Sequence, residues 1–292
     1  MKPSGARAGS VIPVNRSPVL METVIIIDSD RQQIEKGNLY ISILASSSKG
    51  NAIFVSDAST SILVDAGLSG KQVELKLESI GFSPKNLDAI LVSHEHSDHI
   101  QGVGVLSRRY KLPVYISTRT LTTASKQLGK LHSNQDFECG KQFTIGTLAI
   151  HPFSVSHDAK DPACFTIKQN GLKIGIATDL GLSTSVVREH LKGCNTLVLE
   201  ANHDPVMLEE GPYPWPLKQR IKGRTGHLSN EDAKKLLEEV KHEGLTHVVL
   251  SHLSETNNTP EKAVDIVYTG LKGCNAQIVV AAPDSCGELL YL

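Results

Sequence analysis

The sequence has few cysteines, and their arrangement argues against two ways of holding a fold together. The five cysteines are odd in number, scattered over 292 residues and never spaced as C-x-x-C. They are Cys139, Cys164, Cys194, Cys274 and Cys286. A disulfide framework and a cysteine-based zinc knuckle are therefore disfavoured, and we expect reduced thiols.

Long apolar runs, net charge and aromatic side chains are also scarce. No apolar run approaches the roughly 18 residues that cross a bilayer, and the run at residues 24–27 is too short for a signal-peptide core. We therefore expect a cytoplasmic protein without membrane association. The formal net charge of −1 gives no global attraction to nucleic acid, although a local basic patch is compatible with it. Trp215 is the one tryptophan, and the composition gives no sign of base stacking.

The most informative part of the sequence is His94-Glu95-His96-Ser97-Asp98-His99, which holds three imidazoles and two carboxylates in six residues. In this H-x-H-x-D-H pattern, alternate positions aim His94 and His96 the same way, and Asp98 and His99 follow in the turn. Such a set offers ligands for two adjacent metal ions, and imidazole with carboxylate suits zinc, manganese or iron. A polar loop that is merely rich in histidine is the alternative, and four potential ligands at this spacing disfavour it.

Turn residues and apolar periodicity divide the chain into an extension and one folded domain. Residues 1–37 contain three prolines and no helical period, so we expect a mobile N-terminal extension. A mis-assigned start, with Met21 as the later one, is the alternative. The folded domain is predicted over residues 38–292, and Asn170-Gly171 marks a hairpin turn within it.

The predicted elements mix strands and helices throughout this domain. Strands are predicted at residues 39–45, 52–55, 61–64, 89–92, 113–116, 143–155, 164–168, 172–177, 196–199, 247–250, 278–281 and 288–291, with a tight polar loop at 46–51. Helices are predicted at residues 71–80, 104–110, 120–128, 183–191 with Ser183 as its cap, 230–243 and 260–271. This order predicts two sheets with helices outside them, a four-layer αββα sandwich of the α/β class.

Several of the predicted strands end in a potential metal ligand. The residues at these ends are His94, His157, Asp179 and His252. Loops at the ends of rigid strands hold ligands well. A single histidine at a strand end is more often structural, so the recurrence carries more information than any one residue.

These residues, taken in order with Leu63-Val64-Asp65-Ala66-Gly67, resemble the metallo-β-lactamase-fold hydrolases. The resemblance implies two divalent metal ions, Zn²⁺ or Mn²⁺ with Fe²⁺ also compatible, and a hydroxide between them as nucleophile. It implies that His94, His96 and His157 bind the first metal, that Asp98, His99 and His252 bind the second, and that Asp179 bridges both. It further implies that Asp98 orients the hydroxide and that Asp65 holds the motif loop. An ordinary strand-end aspartate is the alternative for Asp65.

Three further segments resemble the YycJ/WalJ group of small metallo-β-lactamase-fold proteins. They are residues 45–51, residues 199–204 and residues 223–230, the last followed by a helix and Leu250-Ser251-His252. That resemblance implies an exonuclease that acts on DNA.

Charged residues near the third segment support a nucleic-acid substrate. Alternation of Lys218, Arg220, Lys222 and Arg224 would line four cations along one side of an extended segment, suitable for phosphates, or would form a solvated loop. His227 is expected at a helix N-terminus, where it could contact the scissile phosphate or protonate the leaving oxygen, with Glu200 orienting it. A capping histidine and a strand-end carboxylate are the alternatives. Ser48 and Lys49 are further candidates for phosphate contact, or a simple turn.

The favoured function is therefore phosphodiester hydrolysis of nucleic acid, as a 5′ to 3′ DNA exonuclease, by in-line attack of the hydroxide on phosphorus. The runner-up is a small-molecule hydrolase on the same metals, such as a cyclic phosphodiesterase, thioesterase or lactonase, because the fold alone does not separate these. A metal-stabilised binding module without turnover is the third alternative. The sequence leaves protein partners open.

Overall fold

Two sheets of seven strands each lie at the centre of the molecule. The structure is a computed structural model that describes residues 39–57, 59–281, 287 and 289–292. The predicted N-terminal extension, residues 1–37, lies outside the described residues. Cys286 lies outside them as well, and the other four cysteines are free thiols, as predicted.

The first sheet begins with antiparallel strands and continues with parallel ones. Its strands are β1 (Tyr40–Ser47), β2 (Gly50–Ser56), β3 (Ser61–Val64), β4 (Ala89–Leu91), β5 (Pro113–Tyr115), β6 (Ser133–Gln135) and β14 (Leu290–Tyr291). They lie in the order β14-β1-β2-β3-β4-β5-β6, antiparallel as far as β3 and parallel from there.

The second sheet repeats this plan. Its strands are β7 (Phe143–Ile145), β8 (Leu148–Ser154), β9 (Ala163–Gln169), β10 (Leu172–Ala177), β11 (Thr196–Glu200), β12 (His247–Ser251) and β13 (Gln277–Val280). The pairs from β7 to β10 are antiparallel, and those from β10 to β13 are parallel. The predicted turn between β9 and β10 is confirmed, since Asn170 and Gly171 both have positive φ, +48° and +83°.

Helices cover the outer faces of both sheets. Those over the first sheet are α1 (Gly70–Ser79), α2 (Ser97–Ile100), α3 (Val103–Tyr110) and α4 (Thr118–Leu128). The remaining helices are α5 (Ser185–Leu191), α6 (Pro205–Glu210), α7 (Trp215–Ile221), α8 (Asn230–Val240) and α9 (Pro260–Tyr268). Short 3₁₀ turns occupy Pro84–Asn86 and Thr269–Leu271.

Three layers of apolar side chains separate these four layers of backbone. In β1, Ile41 and Ile43 point into the core between the sheets, whereas Tyr40 and Leu44 point into the core under α1, α3 and α4. The third core lies between the second sheet and helices α5, α8 and α9. Because successive strand residues face opposite sides, strands buried on both faces supply two cores at once. The predicted αββα sandwich is confirmed.

Several local predictions were wrong. The predicted polar loop at residues 46–51 is mostly strand, because β1 and β2 pair up to Ser47 and Gly50 and leave a two-residue turn. The cap of α5 is Thr184 rather than Ser183, since the Thr184 hydroxyl accepts the Val187 N–H. Helices α6 and α7 occupy a segment that the sequence did not mark as helical.

Candidate metal centre

The predicted ligands converge where the parallel strands of the two sheets end. Asp65 follows β3, His94 lies beyond β4, Asp179 lies beyond β10 and His252 follows β12. Three of these, Asp65, Asp179 and His252, have left-handed backbone with φ of +60°, +57° and +56°. Such backbone is uncommon outside glycine and is often found at functional sites.

A first cluster is formed by His94, His96 and His157. His96 Nδ1 lies 3.1 Å from His94 Nε2 and 3.3 Å from His157 Nε2. Nitrogens bound to one tetrahedral zinc ion at about 2.05 Å lie about 3.3 Å apart. Burial lowers the pKa of His94 and of His157, which favours the neutral imidazole that binds metal.

A second cluster is formed by His99, Asp179 and Asp98, with His252 beside them. His99 Nε2 lies 3.3 Å from Asp179 Oδ2 and 3.5 Å from Asp98 Oδ2. Asp179 Oδ2 and His252 Nε2 are both buried and lack a hydrogen-bond partner among the described residues. Buried polar atoms are nearly always satisfied, so these two fit a group that the protein itself does not supply.

The orientation of the imidazoles supports the same interpretation. Each of the five has its second nitrogen facing an oxygen: His94 Nδ1 faces Ser93 Oγ (2.9 Å), His96 Nε2 faces Asp158 Oδ1 (3.7 Å), His99 Nδ1 faces Asp65 Oδ2 (2.7 Å), His157 Nδ1 faces the Gly226 carbonyl (3.4 Å) and His252 Nδ1 faces Glu200 Oε1 (2.8 Å). At His94, His99 and His252 these distances are short enough for a hydrogen bond, and an acceptor there fixes the tautomer that leaves the inner nitrogen free for a metal. The donor set therefore fits divalent metal ions.

Asp65 holds the histidine motif in place. Its Oδ1 accepts the Ser93 N–H at 2.8 Å, and its Oδ2 accepts from Ser93 Oγ and His99 Nδ1, both at 2.7 Å. Close backbone packing adds to this, because a Cβ on Gly67 would lie 1.6 Å from the Asp98 carbonyl oxygen. Gly67 thus permits the strand end to lie directly against the motif.

Buried carboxylates and imidazoles in the centre shift one another's pKa values. Burial opposes the charged forms of His99 and Asp179, yet the Asp179 and Asp65 carboxylates raise the pKa of His99 well above its ordinary value. The imidazoles of His252 and His99 in turn hold the pKa of Asp179 well below its usual range. Asp179 is therefore an anion, the form that binds a cation.

Glu200, at the end of β11, is fully buried and has four hydrogen-bond donors around it. Its Oε1 lies 2.8 Å from Nδ1 of both His227 and His252. Its Oε2 accepts the backbone N–H groups of Leu180 (3.0 Å) and Leu228 (3.2 Å). Despite burial, the two imidazoles lower the pKa of Glu200 to about 2. The structure thus brings together the predicted pair of Glu200 and His227.

His227 does not stand at a helix N-terminus as predicted. Helix α8 begins at Asn230 and is capped by Ser229, so His227 precedes the cap by two residues. Its imidazole instead lies beside the candidate metal ligands, with Nδ1 3.8 Å from Asp179 Oδ1. Burial opposes the charge on His227, but Glu200 outweighs it and raises the pKa to about 9. Its Nε2 has no hydrogen-bond partner among the described residues.

A cavity of about 260 Å³ opens above the two clusters. Eight of the predicted site residues line it, namely Ser48, His96, Asp98, His157, Asp179, Arg220, His227 and His252. Lys49, next to Ser48 in the turn, is exposed and its Nζ lies 2.7 Å from Glu255 Oε2.

The predicted row of four cations was wrong in its geometry. Residues 215–221 form helix α7, and positions two apart on a helix point to opposite sides rather than to one. Lys218 Nζ donates to the Glu209 carbonyl at 2.6 Å, and Lys222 pairs with the Glu209 carboxylate at 2.9 Å. Arg220 lines the cavity, and Arg224 is exposed in the following loop.

Two residues near the metal clusters were not predicted. Asp158 Oδ2 lies 2.6 Å from Arg220 Nε, while its Oδ1 lies 3.5 Å from His157 Nε2. Asn51 Nδ2 donates to Asp98 Oδ2 at 3.2 Å. Adjacency to His157 was the available signal for Asp158. Asn51 ends the segment 45–51 that resembles the YycJ/WalJ group, but that resemblance assigned it no role.

Comparison with known proteins agrees with this geometry. Residues 60–253 match the Beta-lactamase superfamily domain. The chain belongs to the beta-lactamase superfamily. We place it among the hydrolases of that superfamily, and the fold with its His/Asp clusters indicates divalent metal ions. Among the described residues, no helix is long and apolar enough to cross a membrane.

Two relatives place the chain in the YycJ/WalJ group. Exodeoxyribonuclease YycJ of Bacillus anthracis is 40% identical over 227 residues, which cover 77% of this chain and 86% of the relative. Exodeoxyribonuclease WalJ of Streptococcus pneumoniae is 42% identical over 226 residues, covering 76% and 84%. The metallo-beta-lactamase fold protein YhfI of Bacillus subtilis superimposes with a TM-score of 0.67 at 17% identity, covering 88% of this chain and all of that one.

Proposed function

We propose that this protein is a metal-dependent phosphodiesterase that degrades DNA from the 5′ end. The observation that carries the proposal is the cavity in which Arg220 faces the clustered histidines and carboxylates. A planar guanidinium is suited to a phosphate oxygen pair, and Asp158 holds it beside the clusters. The names of the YycJ and WalJ relatives support DNA as the substrate.

The ligand sets proposed for two divalent cations are His94, His96 and His157 for one, Asp98, His99 and His252 for the other, and Asp179 for both. When bound, Zn²⁺ or Mn²⁺ would supply Lewis acidity that lowers the pKa of water and neutralises charge on phosphate. Fe²⁺ suits the same ligands.

The protein's own groups would divide the remaining work. Asp98 accepts a hydrogen bond from the attacking water and orients it in line with the leaving oxygen. His227, which Glu200 holds through Nδ1 at 2.8 Å, donates a proton from Nε2 to that oxygen. Arg220 binds the phosphate, and Ser48 lines the same cavity. Ser48 and its neighbour in the turn, Lys49, would contact the next phosphate along the strand. A cytoplasmic location remains a prediction.

The test is degradation of DNA duplexes labelled at the 5′ or the 3′ end, with RNA of the same sequence in parallel. Purified protein is assayed with Mn²⁺ or Zn²⁺, beside Asp98→Ala and the exposed control Asp265→Ala on α9. We expect stepwise loss from the 5′ end, abolished in Asp98→Ala and unchanged in the control. Loss from the 3′ end would contradict the direction. No cleavage by metal-loaded protein would favour the small-molecule hydrolase.

A further inference from the structure

Helix α7 presents two different faces. Leu217, Arg220 and Ile221 line the cavity above the metal clusters. On the outer face, Lys222 Nζ lies 4.9 Å from the centre of the Trp215 ring, so that tryptophan is engaged away from the cavity. One face of a short helix therefore forms a wall of the cavity above the two ligand clusters.

Tyr213, two residues before α7, extends this wall. Its half-buried side chain lines the same cavity as Leu217 and Arg220. Among the described residues that line the cavity, the histidines face the metal clusters, and Tyr213 carries the remaining aromatic ring. The wall thus combines an aromatic ring and an aliphatic side chain with a cation, all beside the candidate ligands.

The size of the cavity limits which part of a nucleic acid can contact this wall. Its volume of about 260 Å³ is just below the roughly 300 Å³ at the lower limit of common small-ligand sites. A single nucleotide is of this size class, whereas a base pair with its two backbones is not. A strand end would therefore enter unpaired, with one base exposed to the wall.

We propose that Tyr213 and Leu217 form a nucleobase subsite that receives the terminal base while Arg220 holds the adjoining phosphate. This inference rests on the proposed nucleic-acid substrate and names how its end is bound. Aromatic rings stack on any base, because every base has a π-face, so the subsite accepts all four bases. One aromatic ring is enough to stack on a single base. The low aromatic content of the sequence is therefore compatible with this subsite.

Equilibrium binding separates base recognition from catalysis. Calorimetry on the Mn²⁺-loaded protein compares dAMP with 2-deoxyribose 5-phosphate, which keeps the phosphate and sugar but lacks the base. We expect dAMP to bind the wild type roughly tenfold more tightly, the effect of losing one stacked base. Tyr213→Ala should bind the two compounds equally.

Two variants guard against a trivial loss of structure. Tyr213→Phe keeps the ring and should keep the preference, whereas Tyr213→Leu keeps an apolar side chain and should lose most of it. Trp215→Ala removes an exposed ring on the outer face and should behave as the wild type.

The outcomes also separate this inference from the proposed function. Equal binding of both compounds to the wild type, or an unchanged preference in Tyr213→Ala, would overturn the subsite even if DNA is degraded. A protein that degrades no DNA but prefers dAMP through Tyr213 would overturn the exonuclease and support the subsite.

Discussion

Glu200 Oε1 lies 2.8 Å from His252 Nδ1, and both side chains are buried. The same oxygen lies 2.8 Å from His227 Nδ1. One carboxylate thereby orients a candidate metal ligand and a candidate proton donor. A change at Glu200 is expected to affect stability, metal binding and catalysis together.

Glu200→Gln should lower the free energy of unfolding at pH 7 by about 3 kcal/mol, because a glutamine has one acceptor oxygen for four buried donors. The pKa of Glu200 is about 2 in the fold, below its unfolded value. Its contribution is therefore present above the unfolded pKa and disappears as pH falls toward 2. Urea unfolding at pH 7 and pH 3 measures this, with the exposed Glu239→Gln as control. A deficit that does not narrow at pH 3 would contradict it.

The coupling of Glu200 with His227 is testable in the nuclease assay. If Glu200 acts by orienting His227, the variant Glu200→Gln/His227→Asn should be no slower than the slower single variant. Rates in single-turnover conditions give the comparison. Fully multiplicative losses would show that the two residues act separately.

Substitution of Arg220 should weaken DNA binding, whereas substitution of Lys218 should not, although both residues are cations of one short helix. Arg220→Gln should raise the KM for DNA and reduce the slope of log K against log salt by about one, as expected on loss of one phosphate contact. Lys218→Gln should change neither, since Lys218 donates to the Glu209 carbonyl on the outer face. Titrations at four salt concentrations supply the slopes, and equal slopes would refute the assignment.

His203 should make the protein less stable in mild acid. Burial lowers its pKa from 6.5 to about 4, and its Nδ1 has no partner among the described residues. Between these values the unfolded chain binds more protons, so stability is full above pH 6.5 and falls as pH falls. From pH 7.5 to pH 5 the loss is about 2 kcal/mol. Urea unfolding of wild type and His203→Gln at both pH values tests this, and parallel losses would oppose it.

If divalent cations bind the proposed ligand set of the folded protein and not the unfolded chain, chelation should lower the thermal unfolding midpoint. At 100 times Kd, a bound ion contributes about 2.7 kcal/mol. His96 is partly exposed, so His96→Asn should cost little packing. It removes a ligand of one of the two proposed ions, so its midpoint should respond less to EDTA than that of the wild type. His247→Asn, at the far end of β12 from His252, should respond like the wild type. Thermal scans with and without EDTA, together with metal analysis, test this prediction. Equal shifts of the unfolding midpoint in all three proteins would count against the ligand assignment.

Most of the fold followed from local pattern. Strands buried on both faces read as short apolar runs, and β3, β4 and β10 were predicted to within one residue of their observed ends. Helices α6 and α7 were not predicted, although each has a proline, Pro205 and Pro216, in the first turn, where proline is well accommodated.

The sequence by itself determined the chemistry of the centre, because H-x-H-x-D-H and the strand-end His and Asp residues carry the ligand types whatever the surroundings. Only the tertiary structure decided which partners the other site residues contact and which of them face the cavity. The pairing of Glu200 with His227 was predicted, but its contact with His252, 52 residues away, was not, because no local pattern encodes that proximity. Likewise, Arg220 faces the cavity and Lys218 does not, because the backbone is helical there, and the direction of a side chain follows the backbone rather than its spacing in the sequence.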